Sequence, residues 1–193
     1  GSDVWFFIQE LINGVIREKC GPADKKGTLD FDPSTKVGKF MPDQAGTLEL
    51  WLGEDEEPSR SDRYVIGADI SGGTGRTKSC AAVWSRNGRR KVACWKSSGV
   101  IPYRMAGVLS ALGWWFRSKR GDGDEEPALL IWEANGPGGE VGKVLVEQAY
   151  PNLYHRGEDG VHPSAKRQPG WHNTNDTSEA LFRNYRRLLH EDL

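Results

Sequence analysis

The sequence has few cysteines, no long apolar run and no excess of charge of either sign. Its cysteines, Cys20, Cys80 and Cys94, are odd in number and widely spaced, which excludes both a disulfide framework and a CxxC zinc site and favours a reducing compartment. No apolar run approaches the ~20 residues that a transmembrane helix requires. Lys and Arg number 26 against 27 Asp and Glu, a net charge of −1. A nucleic acid would therefore have to bind a local basic patch.

The chain has 193 residues, which is enough for one domain of ordinary size and an extension. Gly1-Ser2 is typical of a tag remnant. Residues 4–16 are densely apolar and predict a helix, whereas residues 21–46 are rich in Gly, Pro, Asp and Lys and predict a loop. We therefore expect residues 1–46 to be an N-terminal extension or interdomain linker, and residues 47–193 to be the folded domain.

Three short strands are predicted to form an antiparallel meander. The first, Tyr64–Ile70, ends at a Ser-Gly-Gly turn, and the second, Ser79–Ser85, is followed by Asn87-Gly88, which signals a two-residue hairpin. The third strand is Lys91–Lys96. An alternating segment, Thr47–Leu52, predicts a further strand ahead of them.

Helices and a fourth strand follow the meander. Pro102 begins a helix whose apolar residues recur every 3.6 positions, and residues 128–132 are wholly apolar, as expected of a strand buried on both faces. Further helices are predicted from about Glu140 to Tyr150 and from near Asp176, where Asp-Thr-Ser-Glu has the form of a capping box.

This order of elements predicts an α/β domain with a mixed sheet. Three antiparallel strands, followed by a helical crossover to a fourth strand parallel to the first, place the helices on the faces of the sheet. That arrangement is the ribonuclease-H-like plan.

Two acidic residues stand where the predicted parallel strands end. Asp69 closes the first strand, and Glu133 follows the fourth at a position where strand propensity does not favour Glu. Each has an ordinary structural explanation, which is turn formation for Asp69 and solvation of a strand end for Glu133. If the two strands are parallel neighbours, both carboxylates emerge at one edge and suit a hard cation such as Mg²⁺ or Mn²⁺. Two metal ions on shared carboxylates can support phosphodiester cleavage.

The segment Gly67–Thr74 allows a second interpretation. It resembles the first phosphate loop of sugar kinases and other actin-like ATPases, in which an Asp and a Gly-Gly-Thr turn surround nucleotide phosphates and metal. Those proteins clamp the nucleotide between two domains, and this sequence has neither a second phosphate loop nor an adenosine-binding motif. The sequence favours the paired-carboxylate interpretation over this one.

Basic residues cluster at the predicted hairpin, after the first helix, in the late loop and on the last helix. Each cluster has an ordinary interpretation as a solvated surface. A DNA enzyme would use a few of them to contact phosphates, with salt-sensitive affinity. Lys166 and Arg167, in the late loop, are our candidates for DNA contact.

Several segments, in the same order along the chain, resemble the nuclease domain of bacteriophage terminase large subunits. The matching segments are Tyr64–Gly73, Pro102–Phe116, Ile131–Gly138 with its Glu-x-Asn-x-x-Gly pattern, Tyr150–Tyr154, and Gly170–Thr174 before a helix. The resemblance covers roughly residues 47–190, and its specificity lies in the order of the motifs.

The resemblance implies a function. In that family the large subunit is the DNA-packaging motor, with an N-terminal ATPase and a C-terminal nuclease that cuts concatemeric genomes. It implies a divalent-metal-dependent endonuclease acting on double-stranded DNA, with Asp69 and Glu133 as the first two acidic ligands. It also implies the terminase small subunit, the portal and an ATPase domain as partners, no membrane association, and a location in the host cytoplasm.

The chain departs from the family's pattern at two places. Many relatives carry an Asp just before the second strand, where this chain has Thr77-Lys78-Ser79. The family's remaining acidic ligands follow another strand, whereas this sequence stops at Glu191-Asp192-Leu193. We therefore expect the domain to be incomplete at its C-terminus and weakly active or inactive. The alternative is a noncatalytic DNA-binding or assembly module that kept the fold after losing its acids.

Overall fold

The computed structural model describes residues 13–14, 16–17, 20–156 and 168–191. These residues belong to two compact units, which are Ala23–His172 and the combination of Gly1–Pro22 with Asn173–Leu193. The helix predicted over residues 4–16 falls mostly outside the described residues.

The strands of the first unit are β1 (Lys25–Asp32), β2 (Val37–Pro42), β3 (Leu48–Leu50), β4 (Tyr64–Asp69), β5 (Ser79–Ser85), β6 (Arg90–Ser97), β7 (Ser118–Lys119), β8 (Glu125–Glu126) and β9 (Leu129–Trp132). Its helices are α1 (Pro102–Trp115) and α2 (Gly138–Glu147), and the second unit contains α3 (Asn175–Glu191). Within the described part of the chain, no helix combines the length and the apolar character needed to cross a bilayer.

Seven strands form one sheet in the order β2-β1-β3-β6-β5-β4-β9, and β7 pairs with β8 separately. The strands β4, β5 and β6 form the predicted antiparallel meander. The strand β9 pairs in parallel with β4. The predicted sheet, with three antiparallel strands and a parallel fourth beside the first, is confirmed. The fold is an α/β fold of the ribonuclease-H-like class.

The loop predicted over residues 21–46 is wrong, because β1 and β2 form an antiparallel hairpin that extends this sheet. Its apolar content is small, but Leu29 and Phe40 face each other across the hairpin and pack against the core. Gly46 serves a close approach of two backbones, because a Cβ there would lie 2.0 Å from the carbonyl oxygen of Gly27. The boundary predicted at residue 46 thus falls between two strands of one sheet.

The hairpin predicted at Asn87-Gly88 joins β5 to β6, but its loop has four residues, since the last pair is Ser85 with Arg90. Side chains organise this loop. Gly88 N donates to Ser85 Oγ at 2.8 Å, and Asn87 N donates to a carboxylate oxygen of Asp62 at 3.1 Å. These bonds satisfy the backbone N–H groups of Asn87 and Gly88 in the longer turn.

One face of the sheet packs against α1 and α2 and forms the core. Ile66 on β4 and Leu130 on β9 are buried there, together with the side chains predicted to form the apolar face of α1. Those α1 residues are Met105, Leu109 and Leu112, with Val108 partly buried and Phe116 buried just beyond the helix. Because side chains alternate along a strand, the residues between the core positions point to the other face.

That other face is called the open face below. It carries Asp69 at the end of β4, Cys80 on β5, Lys96 on β6 and Glu133 directly after β9. The pairing registers place Asp69 opposite Cys80 and Cys80 opposite Lys96. These side chains therefore form a row across neighbouring strands.

In the second unit, α3 begins one residue before the predicted Asp176, and its capping box uses Thr174 and Thr177. Thr177 N donates to Thr174 Oγ1 at 3.2 Å, and Thr174 N donates to Thr177 Oγ1 at 2.8 Å. The backbone N–H of each threonine thus donates to the side-chain oxygen of the other, as in a capping box. The predicted box at Asp-Thr-Ser-Glu is therefore displaced by two residues.

Candidate metal-binding site at the ends of two parallel strands

Asp69 and Glu133 lie side by side at the carboxyl edge of β4 and β9. The parallel register pairs Ala68 with Trp132, and Glu133 N donates to Ala68 O at 3.2 Å. Asp69 and Glu133 are the next residues in this register, so their side chains leave the same face of neighbouring strands, which are about 4.8 Å apart. The structure therefore brings together the two acidic residues that the sequence singles out.

Residues on both sides extend the row that contains the two carboxylates. Trp171 forms a parallel bridge with Glu133 on the side away from β4. On the other side come Cys80 and Lys96, and Lys96 Nζ forms an ion pair of 3.0 Å with Glu49. The hydrogen bond to Glu49 raises the pKa of Lys96 and keeps it charged. A basic side chain thus lies on the same face as Asp69, two strands away.

A close backbone contact explains Gly138, one of the glycines of the Asn-Gly-Pro-Gly-Gly segment that follows Glu133. Such a glycine-rich segment indicates a turn that a backbone or a ligand can approach closely, and at Gly138 the partner is the chain's own backbone. A Cβ at Gly138 would lie 1.7 Å from the carbonyl oxygen of Glu133. Trp132 Nε1 also donates to Gly138 O at 3.0 Å, which holds the start of α2 against the end of β9. Glu133 is therefore fixed by backbone contacts on both sides.

The glycine-rich loop after Asp69 is likewise held by protein contacts. Ser71 N donates to Ser79 Oγ at 2.9 Å, and Gly75 N donates to Ser98 O at 3.0 Å. Gly73 has a φ of +69°, and a Cβ there would lie 2.7 Å from Val100 O. Close packing against Val100 and Ile101 therefore explains the glycine at position 73.

The chemistry of the donor set fits a hard divalent cation. Asp69 is exposed and Glu133 is partly buried, so both can offer carboxylate oxygens to a bound ion. Proteins hold Mg²⁺ through one or two carboxylates, with waters and substrate phosphates as the remaining ligands. Within residues 20–156 and 168–191, no group of three or more His, Cys, Asp or Glu side chains is placed to hold a metal ion. The described site therefore consists of this pair.

The cysteines Cys80 and Cys94 form a close pair that the sequence analysis missed. Their Sγ atoms are 3.6 Å apart. The hydrogen bond with the Cys80 thiol, supported by the charge of Lys96, lowers the pKa of Cys94 to about 7. The same hydrogen bond and burial raise the pKa of Cys80. The register of the β5–β6 hairpin is the feature that could have revealed the pair. Predicting that register from the sequence requires predicting the bulge between Val83 and Trp84 as well.

The candidate DNA contacts Lys166 and Arg167 lie outside the described residues. Among the other basic clusters, the residues around the β5–β6 turn are exposed. Two of them contact Trp51: Arg90 donates to its carbonyl oxygen at 2.7 Å, and Lys91 Nζ lies 3.6 Å from the centre of its ring. This cluster therefore has structural partners within the protein.

No protein-family model matches the sequence, and no curated protein matches it. Solved structures do match. The crystal structure of the large terminase nuclease from thermophilic phage G20c is 16% identical, with a TM-score of 0.52 over 83% of this chain and 70% of that chain. The same nuclease with bound magnesium gives 16% identity and a TM-score of 0.53 over 88% and 72%, respectively. With bound zinc it gives 16% identity and a TM-score of 0.52 over 83% and 76%.

At this level of identity the comparisons show the fold. The chain has the fold of a large terminase nuclease domain, as the sequence resemblance predicts. The matches cover 83% to 88% of this chain.

Proposed function

We propose that this chain is a divalent-metal-dependent endonuclease domain of a phage DNA-packaging terminase, which cuts concatemeric double-stranded DNA by two-metal hydrolysis. The observation that supports this proposal is the in-register placement of Asp69 and Glu133 at the carboxyl edge of β4 and β9, on a terminase-nuclease fold. In open α/β sheets this edge is where ligands bind.

Asp69 and Glu133 would hold the metal, which we propose to be Mg²⁺ or Mn²⁺. Bound there, such ions would activate water and stabilise the charge on the leaving oxygen of a phosphodiester. The fold of the protein would position the two carboxylates that bind the metal. The backbone bond from Glu133 N to Ala68 O fixes the two carboxylates relative to each other, and the contact with Gly138 fixes the direction of the chain after Glu133.

The proposed substrate and partners follow from the same assignment. Lys166 and Arg167 would contact DNA phosphates, and the terminase small subunit, the portal and an ATPase domain would be the protein partners, in the host cytoplasm. The connection to an ATPase domain would lie ahead of β1, because β1 and β2 belong to the sheet.

One observation favours a second candidate, a noncatalytic DNA-binding or assembly module. The described residues bring together two carboxylates and no third metal-binding side chain. Two metal ions carry four positive charges, which a pair of carboxylates offsets only in part. A protein with this fold and an incomplete acid set would bind DNA without cutting it.

A plasmid-nicking assay with Mn²⁺, with Mg²⁺ and with Mn²⁺ plus chelator separates the two candidates. Because the acid set is incomplete, we expect weak cutting with Mn²⁺, which chelator abolishes and which Asp69→Asn and Glu133→Gln both remove. The matched control is Asp30→Asn, which neutralises an exposed carboxylate on β1, four strands from β4 in the sheet. DNA binding without cutting would support the noncatalytic module. Cutting that survives Asp69→Asn and Glu133→Gln would exclude the proposed site.

A further inference from the structure

Two of the three cysteines face each other on the open face. Cys80 on β5 and Cys94 on β6 have their Sγ atoms 3.6 Å apart, and both thiols are free. They are diagonal neighbours, because Cys94 pairs with Ala82 and Cys80 pairs with Lys96. The third cysteine, Cys20, is exposed and belongs to the other unit.

A shift in the strand register creates this pair. The turn pairs Ser85 with Arg90 and Trp84 with Lys91, but a bulge between Val83 and Trp84 moves the pairing by one residue. Without the bulge, Cys94 would lie opposite Ala81 and point into the core, on the face away from Cys80. A one-residue slip changes the face of every side chain on a strand. The bulge therefore places both thiols on one face.

The two sulfur atoms already lie in contact. A disulfide has an S–S length of about 2.05 Å, so the sulfurs must approach each other by about 1.5 Å more. The strands are already hydrogen-bonded neighbours, and the backbone brings the two residues together before any reaction. Cys80 is partly exposed and Cys94 is 7% exposed, which admits a small oxidant more easily than a bulky one.

We propose that Cys80 and Cys94 are a dithiol modification site that a hydroperoxide oxidises to a disulfide across β5 and β6. One sulfur, as thiolate, attacks an oxygen of the peroxide; the O–O bond breaks, and the sulfur becomes a sulfenic acid. The second sulfur attacks the first, the S–O bond breaks, and the oxygen leaves as water with the proton of the second thiol. With hydrogen peroxide, two thiols are oxidised by two electrons and one peroxide is reduced to two waters.

The bond would form one strand from the candidate metal site. Cys80 pairs with Asp69 across β4 and β5, so the disulfide would lie beside that carboxylate on the open face. The proposal does not depend on the nuclease assignment, because it concerns only the chemistry of the two sulfurs.

Hydrogen peroxide treatment of the Cys20→Ser chain tests the site. This background keeps only Cys80 and Cys94. We expect loss of both titratable thiols, an intact mass lower by that of two hydrogen atoms, a single peptide linking the segments of Cys80 and Cys94, and full recovery with dithiothreitol. The readouts are thiol titration after denaturation and mass spectrometry of the intact and digested chain.

Two single-thiol variants complete the test. In the Cys20→Ser background, Cys80→Ser and Cys94→Ser should each form no disulfide, and the remaining cysteine should stop at a sulfenic acid that dimedone traps. If the Cys20→Ser chain instead keeps both thiols, forms disulfide-linked dimers, or gives a dimedone adduct in place of the internal bond, the proposal is wrong. Before oxidation, each variant must have the same circular dichroism spectrum as the parent, which shows that it is folded.

Discussion

Gly138 lies directly against the carbonyl oxygen of Glu133, five residues earlier in the chain. A Cβ at Gly138 would lie 1.7 Å from that oxygen, a distance that no side chain tolerates. The start of α2 is therefore packed onto the end of β9, and the bond from Trp132 Nε1 to Gly138 O holds the two together. The position of Glu133, a candidate metal ligand, therefore depends on how α2 packs against the end of β9.

The first prediction concerns this contact. Gly138→Ala should lower the free energy of unfolding by about 1–3 kcal/mol, because the backbone must move to relieve the overlap. Gly139→Ala is the matched control, since its nearest neighbour would be Ala134 O at 3.6 Å, an ordinary contact. We expect the control to be neutral or to gain up to about 1 kcal/mol from helix propensity. Urea unfolding curves measure both, and equal stability of the two variants would contradict the argument.

The second prediction concerns acid stability. Arg117 Nε lies 2.6 Å from Glu125 Oε2, and this close contact with the Arg117 guanidinium holds the pKa of Glu125 below its ordinary value of 4.5. A carboxyl whose folded pKa is depressed stabilises the fold above its unfolded pKa and loses that contribution as the pH falls through the folded pKa. Because Glu125 is 41% exposed, the contribution should be no more than about 0.5–1 kcal/mol.

Urea unfolding between pH 6 and about pH 3 tests the acid prediction. Glu125→Gln should be less stable than the parent at pH 6, and the difference should shrink as the pH falls below 4.5. Glu54→Gln, which removes a carboxylate of the exposed acidic run, is the control and should lower stability at pH 6 less than Glu125→Gln does. A stability difference for Glu125→Gln that does not change with pH would show that the ion pair is not responsible.

The part of the fold that rests on local signals was predictable from the sequence. The apolar run before Glu133, the short β-rich run that contains Asp69 and the helical spacing after Pro102 indicate the order of elements. A right-handed crossover then makes β4 and β9 parallel neighbours. The juxtaposition of Asp69 and Glu133 follows from that topology.

The missed features depend on contacts that local patterns do not encode. Lys25, Lys26, Asp30 and Lys39 give β1 and β2 the composition of a loop, and these strands are stabilised by pairing with β3 and by burying Leu29 and Phe40. The thiol pair depends on a bulge between Val83 and Trp84, which shifts the register by one residue. A register deduced from the turn residues alone places Cys94 on the core face of the sheet.

The third prediction concerns DNA affinity. With a net charge of −1, binding must rest on a few basic side chains and should be weak, independent of sequence and sensitive to salt. Lys166→Ala and Arg167→Ala should each weaken binding to all sequences alike and reduce the slope of log affinity against log salt by about 0.9 for a lost phosphate contact. Fluorescence anisotropy at several salt concentrations measures this slope. Affinity that does not change with salt would contradict the prediction.

The last prediction concerns metal binding, measured without any cleavage. A ligand that binds only the folded state raises the melting temperature according to its concentration relative to its Kd. Without substrate phosphates to complete the ligand set, two carboxylates hold Mg²⁺ poorly, because this ion dehydrates reluctantly and demands near-octahedral geometry. Mn²⁺ binds a given oxygen site somewhat more tightly. We therefore expect Mn²⁺ to raise the melting temperature of the 193-residue chain at concentrations where Mg²⁺ does not.

Asp69→Asn provides the decisive comparison for this metal prediction, because it removes one of the two charges while keeping the shape of the side chain. It should weaken Mn²⁺ binding at least about tenfold, a loss of about 1.4 kcal/mol, and leave the melting temperature without metal nearly unchanged. Asp30→Asn, on β1, should respond to Mn²⁺ as the parent does. If Mn²⁺ stabilises Asp69→Asn and the parent equally, the ion binds elsewhere, and the two carboxylates at the ends of β4 and β9 have another role.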